Sequence, residues 1–269
     1  MTDRGQTFRT ANVGAVSSAD IAVPEHPREL QFYSRVLTAG ESPLWRSDLM
    51  NAAGTPIIGL GERIPEYEDL PLQWMLHIQV ADVAASAERA VALGGSELRH
   101  NRNEAGESQW AVLLDPSGAA FGLVPAPSSS STEPIQHEMP SDSMGRIAWF
   151  DLTVSDAPAT LKFYHAVVGW SVEEVELEDA EGRYTDYLLS TPGGTEVGGI
   201  CHARGVNRAV PPVWLIYLPV GDLQESLKRV EEGSGEVLET RTGADGNDVY
   251  AVIRDPVGAC LALAPGWSH

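Results

Sequence analysis

Four side chains able to carry a proton stand at matching points of a short repeated pattern. The pattern is any residue, Ile or Leu, any residue, Val, and it occurs at 20–23, 77–80, 151–154 and 217–220. Its first positions are Asp20, His77, Asp151 and Tyr217. A carboxylate beside an imidazole can act as a general base, and a tyrosine as a proton donor. These four are the candidate catalytic residues. A second reading makes each a pocket polar group with a structural hydrogen-bond partner. The recurrence of Asp20 and Asp151 fits either role. Sequence does not choose how the strands pair. Pairing within halves joins Asp20 to His77 and Asp151 to Tyr217, whereas swapped pairing joins Asp20 to Tyr217 and Asp151 to His77.

The elements that must position these residues repeat with them. An amphipathic stretch of helical spacing follows each pattern, at 27–38, 83–93, 156–168 and 222–232, closed by Gly40, Gly94, Gly169 and Gly233. Glycine after the last turn suits a left-handed helix stop. Short alternating strands come next, as at 110–114 and 119–124. The unit reads strand, helix, then two or three strands, four times over. Asp20–Val23 and Phe32-Tyr33 recur 131 positions on, as Asp151–Val154 and Phe163-Tyr164. Asp115-Pro116 and Gly118-Ala119 recur 140 positions on, as Asp255-Pro256 and Gly258-Ala259. The chain is therefore a duplication, and its second half carries an extra segment near 173–190. The expected organisation is one domain over 12–125, a Pro- and Ser-rich linker over 126–144, and a second domain over 145–266.

Strand side chains alternate faces. Trp74, Leu76, Ile78 and Val80 form one apolar set, expected beneath the helices. Met75, His77 and Gln79 form the other, expected to line a hollow. The same parity sets Phe150, Leu152 and Val154 against Trp149 and Asp151, and Trp214, Ile216 and Leu218 against Leu215 and Tyr217. In the first unit Ala19, Ile21 and Val23 oppose Ser18 and Asp20. An indole at Trp149 could stack on a planar ligand or plug the hollow. Tyr184 and Tyr187, in the extra segment, are expected near the pocket mouth.

Composition limits the function classes. The chain has 269 residues, 43% hydrophobic and 21% charged, enough apolar material for packed cores. With 18 Lys and Arg against 38 Asp and Glu, the net charge is -20, which repels phosphate backbones and argues against nucleic-acid partners. No apolar run approaches the roughly 20 residues that cross a bilayer. The opening MTDRGQTFRT lacks the apolar stretch of a secretory signal, so a cytoplasmic location is expected. Two cysteines, Cys201 and Cys260, exclude a disulfide scaffold and read as small buried residues. The glycine pairs at 193–194 and 198–199 lack the strand–loop–helix context of a phosphate loop.

The motifs WFDLTVSDAPATLKFYHAVVGW (149–170), PPVWLIYLPVGDLQESLKRV (211–230) and IRDPVGACLAL (253–263) have partners in the first half. Those partners are ADIAVPEHPRELQFYSRVL (19–37), LQWMLHIQVADVAASAERAVALGG (72–95) and LLDPSGAAFGLV (113–124). Together they resemble the vicinal oxygen chelate superfamily of glyoxalases, bleomycin-resistance proteins and extradiol dioxygenases, and most closely its two-domain glyoxalase-like members from actinomycetes. The resemblance implies an α+β fold of four paired βαβββ modules in two glyoxalase-like domains, each sheet curling round a pocket.

Metal-dependent members take ligands from the pocket face of these strands. The resemblance puts those positions at Ser18, Met75, Trp149 and Leu215, with last-strand positions near Gly122 and Ala262. None is a metal ligand of the expected kind. Glu196, Glu62 and His202 lie close to the remaining strands. The expected protein has no cofactor and no metal, and works as a monomer or homodimer on a small organic molecule of secondary metabolism. The candidate ligand-binding residues are Trp149, Ser18, Met75, Gln79, Leu215, Glu196 and Tyr187. A drug-sequestering protein and a metal-dependent lyase, isomerase or dioxygenase are the alternatives.

Overall fold

A computed structural model describes residues 12–39, 42–43, 45–46, 49–51, 56–127, 146–243 and 245–266. Gly40 and most of the expected linker lie outside the described residues. The first half contains β1 (Val16–Val23), α1 (His26–Val36), β2 (Thr38–Ala39), β3 (Ser42–Pro43), β4 (Trp45–Arg46), β5 (Leu49–Asn51), β6 (Pro56–Glu62), β7 (Met75–Val80), α2 (Val83–Ala92), β8 (Ser96–Arg102), β9 (Ser108–Leu114) and β10 (Ala120–Pro125). The second half contains β11 (Trp149–Val154), α3 (Ala157–Val168), β12 (Ser171–Asp179), β13 (Gly182–Ser190), β14 (Glu196–His202), β15 (Trp214–Val220), α4 (Leu223–Glu232), β16 (Glu236–Thr242), β17 (Asp248–Arg254) and β18 (Cys260–Pro265).

Each half builds its own eight-stranded mixed sheet. The orders are β4-β5-β6-β1-β7-β10-β9-β8 and β12-β13-β14-β11-β15-β18-β17-β16. The first strands of the two modules meet at the centre, β1 against β7 and β11 against β15, both antiparallel. Modules thus pair within halves, which settles the question that sequence left open. Asp82, Asp156 and Asp222 cap α2, α3 and α4 by accepting from the backbone N–H three residues on. Gly94 and Gly169 take left-handed φ values of 94° and 90°. After α4 the expectation fails, because Gly233 keeps φ -81° and Ser234 takes φ 68°. Gly233 is needed for space instead, since a Cβ there would stand 2.7 Å from Phe32.

The helices face each other across the molecule, α1 packed on α4 and α2 on α3. One continuous core results. Trp74, Trp170 and Trp214 are fully buried in it, with Leu76, Ile78, Leu152 and Ile216. Two tyrosines stitch the halves together. Tyr33 donates to Asp255 at 2.7 Å, and Tyr164 donates to Asp115 at 3.1 Å while accepting from Trp214 Nε1 at 2.8 Å. Each aspartate also gathers backbone N–H groups of its own Asp-Pro turn. Trp170 adds a bond to the Gly14 carbonyl at 2.8 Å. Tyr164→Phe strands the Trp214 N–H and removes a donor from Asp115, so it should cost about 1–3 kcal/mol in urea unfolding. A loss below 0.5 kcal/mol (about the effect of an inert surface change) would show that these bonds do not hold the halves.

One buried group at this seam has no counterpart. Glu29 on α1 is fully buried, and among the described residues no group donates a hydrogen bond to either carboxyl oxygen. The matching position on α3 is Thr160, whose hydroxyl is satisfied by the Asp156 carbonyl at 3.0 Å. Burial, and next the Asp255 charge, push the Glu29 carboxyl up to about 8.

Candidate functional site

The alternation along β1 and β7 sends Asp20 and His77 to the concave side of the first sheet. His77 Nε2 stands 3.2 Å from Asp20 Oδ2, and His77 Nδ1 lies 2.9 Å from Ser18 Oγ. One extra residue on β1 between Val16 and Ala19, a bulge against β7, turns this stretch. With its hydrogen on Nε2, toward the carboxylate, the His77 ring accepts from the Ser18 hydroxyl through Nδ1. The Asp20 side chain is 48% exposed and His77 27%, so a ligand can reach both.

Both open into a cavity of about 470 Å³. Its walls include Met75, Leu70, Val112 and Trp110, with Tyr67 and Arg99 among the other lining residues. Arg99 is held by both carboxylate oxygens of Asp69, one at 2.8 Å, and by the Glu66 carbonyl at 2.6 Å. This ion pair keeps the Asp69 carboxyl below the usual carboxylate range and fixes the turn at Pro65–Tyr67 beside the cavity.

The second sheet treats the equivalent place differently. Asp151 accepts from Trp149 Nε1 at 2.8 Å on one oxygen and from the Tyr217 hydroxyl at 2.9 Å on the other. Gly199 lies opposite, where a Cβ would stand 2.5 Å from Asp151 Oδ1. Leu215, Tyr217, Val252, Cys260 and Ala262 form a buried cluster with Trp149, Leu238 and Tyr250 packed against it. Tyr217 and Tyr250 meet edge to face at 5.1 Å. Burial pushes the Asp151 carboxyl up, opposed by its two side-chain donors, and burial also drives the Tyr217 hydroxyl and Cys201 thiol upward. Neither the Tyr217 hydroxyl nor the Cys201 thiol is poised to lose a proton.

The predicted residues therefore separate. Ser18, Asp20 and His77 come together, and Met75 lines the same cavity. Trp149, Asp151, Tyr217 and Leu215 come together in the second cup, Leu215 and Tyr217 buried, Trp149 and Asp151 half-buried. Gln79 lies two positions after His77 on β7, and its amide oxygen is enclosed without a hydrogen-bond partner among the described residues. Two of the candidates lie apart from both groups. Glu196 is exposed at the start of β14, opposite Ser190. Tyr187 pairs with the core residue Ile200 and packs on the helix side, away from a pocket mouth. Tyr184 instead lies under the Arg204 guanidinium at 4.4 Å.

Trp110, Tyr67 and Arg99 were not anticipated as lining residues. A signal for Trp110 existed: Ala111 and Leu113 are buried beneath the helices, so Trp110 and Val112 face the hollow by alternation.

Comparison with known proteins agrees with the fold. Residues 18–124 match the Glyoxalase-like domain family, and residues 146–263 match the Glyoxalase/Bleomycin resistance protein/Dioxygenase superfamily. The anthracycline biosynthesis protein DnrV of Streptomyces peucetius is 30% identical over 128 residues, 44% of this chain and 46% of that protein. The matched segments span under half the length of the curated relatives. The Mn(II)-bound glyoxalase from Novosphingobium aromaticivorans aligns with TM-score 0.55 and 16% identity over 94% of this chain and 82% of its own. The 2,2',3-trihydroxybiphenyl 1,2-dioxygenase from Sphingomonas wittichii gives 0.55 and 16% over 94% and 91%.

The donor set here does not fit a metal of that kind. Among the described residues no three His, Cys, Asp or Glu side chains converge. The positions that the family resemblance assigns to metal ligands in the first cup are Ser18, Met75 and Gly122, and a Cβ on Gly122 would already stand 3.2 Å from the His77 ring.

Proposed function

This chain belongs to the glyoxalase/bleomycin resistance protein/dioxygenase superfamily as two domains in tandem, and from that premise we propose that its first cup binds a small organic molecule and moves a proton on it without a bound metal. The observation that carries this reading is the cavity of about 470 Å³ with Asp20 and His77 opening into it. Such a volume suits a drug-sized ligand, and largely apolar walls with few convergent polar groups are the usual form of such a site. Asp20 is the base: its carboxylate takes a proton from an acidic O–H or from carbon beside a carbonyl, and returns it to another atom or to water. His77 Nε2–H steadies the charged carboxylate, and Ser18 holds the ring in that tautomer. Similarity to the anthracycline biosynthesis proteins supports a role in natural-product metabolism.

Titration with hydroxylated polycyclic aromatic compounds, followed by tryptophan fluorescence, tests the reading. Saturable binding is expected in the natural protein. Ser18→Trp, which places an indole where the second half has one, should weaken it at least ~tenfold, and Trp110→Ala should also weaken it. Unchanged affinity in Ser18→Trp would remove the first cup as the site. A stoichiometric transition metal that survives dialysis and is lost in Asp20→Ala would overturn the metal-free part.

A further inference from the structure

We propose that the guest of the first cup is a flat aromatic molecule presenting an N–H or O–H donor to Asp20, because the second cup is filled at that place by such a group from the chain itself, the Trp149 indole. The proposal rests on the first cup being the binding site, and adds the guest's shape and the polar atom it carries.

The duplication makes the cups directly comparable. Asp20 corresponds to Asp151, His77 to Tyr217, Trp110 to Tyr250, and Ser18 to Trp149. In both cups one aspartate oxygen is taken by the residue from the partner central strand, His77 Nε2 at 3.2 Å or Tyr217 OH at 2.9 Å. In both, a glycine lies opposite the aspartate, Gly59 or Gly199. The cups part at the remaining oxygen. Asp151 receives the Trp149 N–H at 2.8 Å, and the indole packs against the cluster of Leu215, Tyr217 and Val252. The first cup has only a serine at the indole's position, and it is turned to His77 Nδ1. The second Asp20 oxygen has no partner among the described residues, and the side chain opens into free volume. Space, apolar walls and an unused acceptor therefore coincide where the other half places a planar bicycle with one N–H.

Indole and its isostere benzothiophene, which lacks the donor, are the probes. NMR titration of the labelled full chain should show indole perturbing Asp20, His77 and Gly122 saturably. Benzothiophene should bind about tenfold more weakly, the worth of one charge-assisted hydrogen bond. Asp20→Leu should bring the two to parity. In Trp149→Ala, indole should gain a second site reported by Asp151 and Gly199 and raise the melting temperature. Equal affinity of both probes for the natural first cup would overturn the donor assignment while the binding reading survives. Failure of both probes to perturb the first cup would overturn the two together. A folded Trp149→Ala that ignores indole would overturn the comparison of the cups. If that variant does not fold, the indole–benzothiophene ratio in the natural protein and in Asp20→Leu still decides.

Discussion

Glu29→Gln should raise stability at pH 8 by about 3 kcal/mol and leave it nearly unchanged at pH 4. Glu29 sits in the seam between the halves with no donor for either oxygen and Asp255 beside it. Asp255 is the member that keeps the charge, because Tyr33 and the N–H groups of Val257 and Ala259 all point at it. Glu29 therefore holds its proton to about pH 8, against 4.5 for the unconstrained group. Arg28 opposes this upward push and Glu25 adds to it. The sign follows from proton counting. Between pH 4.5 and 8 the unfolded chain has released the Glu29 proton while the folded chain retains it. Folding then takes up a proton, so stability falls as pH rises through this window and levels off above it. The limiting slope is about 1.4 kcal/mol per pH unit, reduced by local relaxation. Glutamine keeps the shape and a donor toward Asp255 but has nothing to titrate. Urea unfolding from pH 4 to 9 should show the two proteins diverging as pH rises. Parallel curves would mean that Glu29 ionises freely in the folded state.

The same substitution at matching aspartates should have opposite consequences. Asp20→Asn removes the base and should lower turnover, or solvent deuterium exchange into a bound guest, by about 10²–10⁴-fold. Its stability cost should stay below about 1 kcal/mol, since the side chain is half exposed. Asp151→Asn should leave exchange within about twofold but cost about 2–3 kcal/mol. Trp149 and Tyr217 donate to both of its oxygens, and an amide offers only one acceptor, so one donor meets an NH2 group. Exchange measured beside urea unfolding separates the two effects. Loss of exchange in Asp151→Asn, with Asp20→Asn unaffected, would move the working site to the second half.

Much of the architecture could be read from local pattern. Strand alternation places Trp74, Leu76, Phe150 and Trp214 in the core because burial on one face of a strand is a period-two property. The duplication is visible because both halves need the same Asp-Pro turn to receive a tyrosine from the other. The pairing of Asp20 with His77 was not legible, since both sheet arrangements satisfy the same alternation. The face of Tyr187 is not legible in the sequence, because it depends on the register of β13 with β14, which slips between Leu189 and Ser190. Tyr67 and Arg99 are not legible because a loop and a partly exposed strand carry no burial rhythm, and the bonds from Arg99 to Asp69 and to the Glu66 carbonyl hold that loop beside the cavity.

The crosswise helix packing joins the halves as two copies of a smaller protein would be joined about a twofold axis. In a pair of identical chains every substitution strikes both cups, so a tryptophan that closes one closes the other. Covalent fusion lifts that constraint. One gene can write serine at 18 and tryptophan at 149, dedicating the second copy to scaffold duty while the first stays free to change its guest.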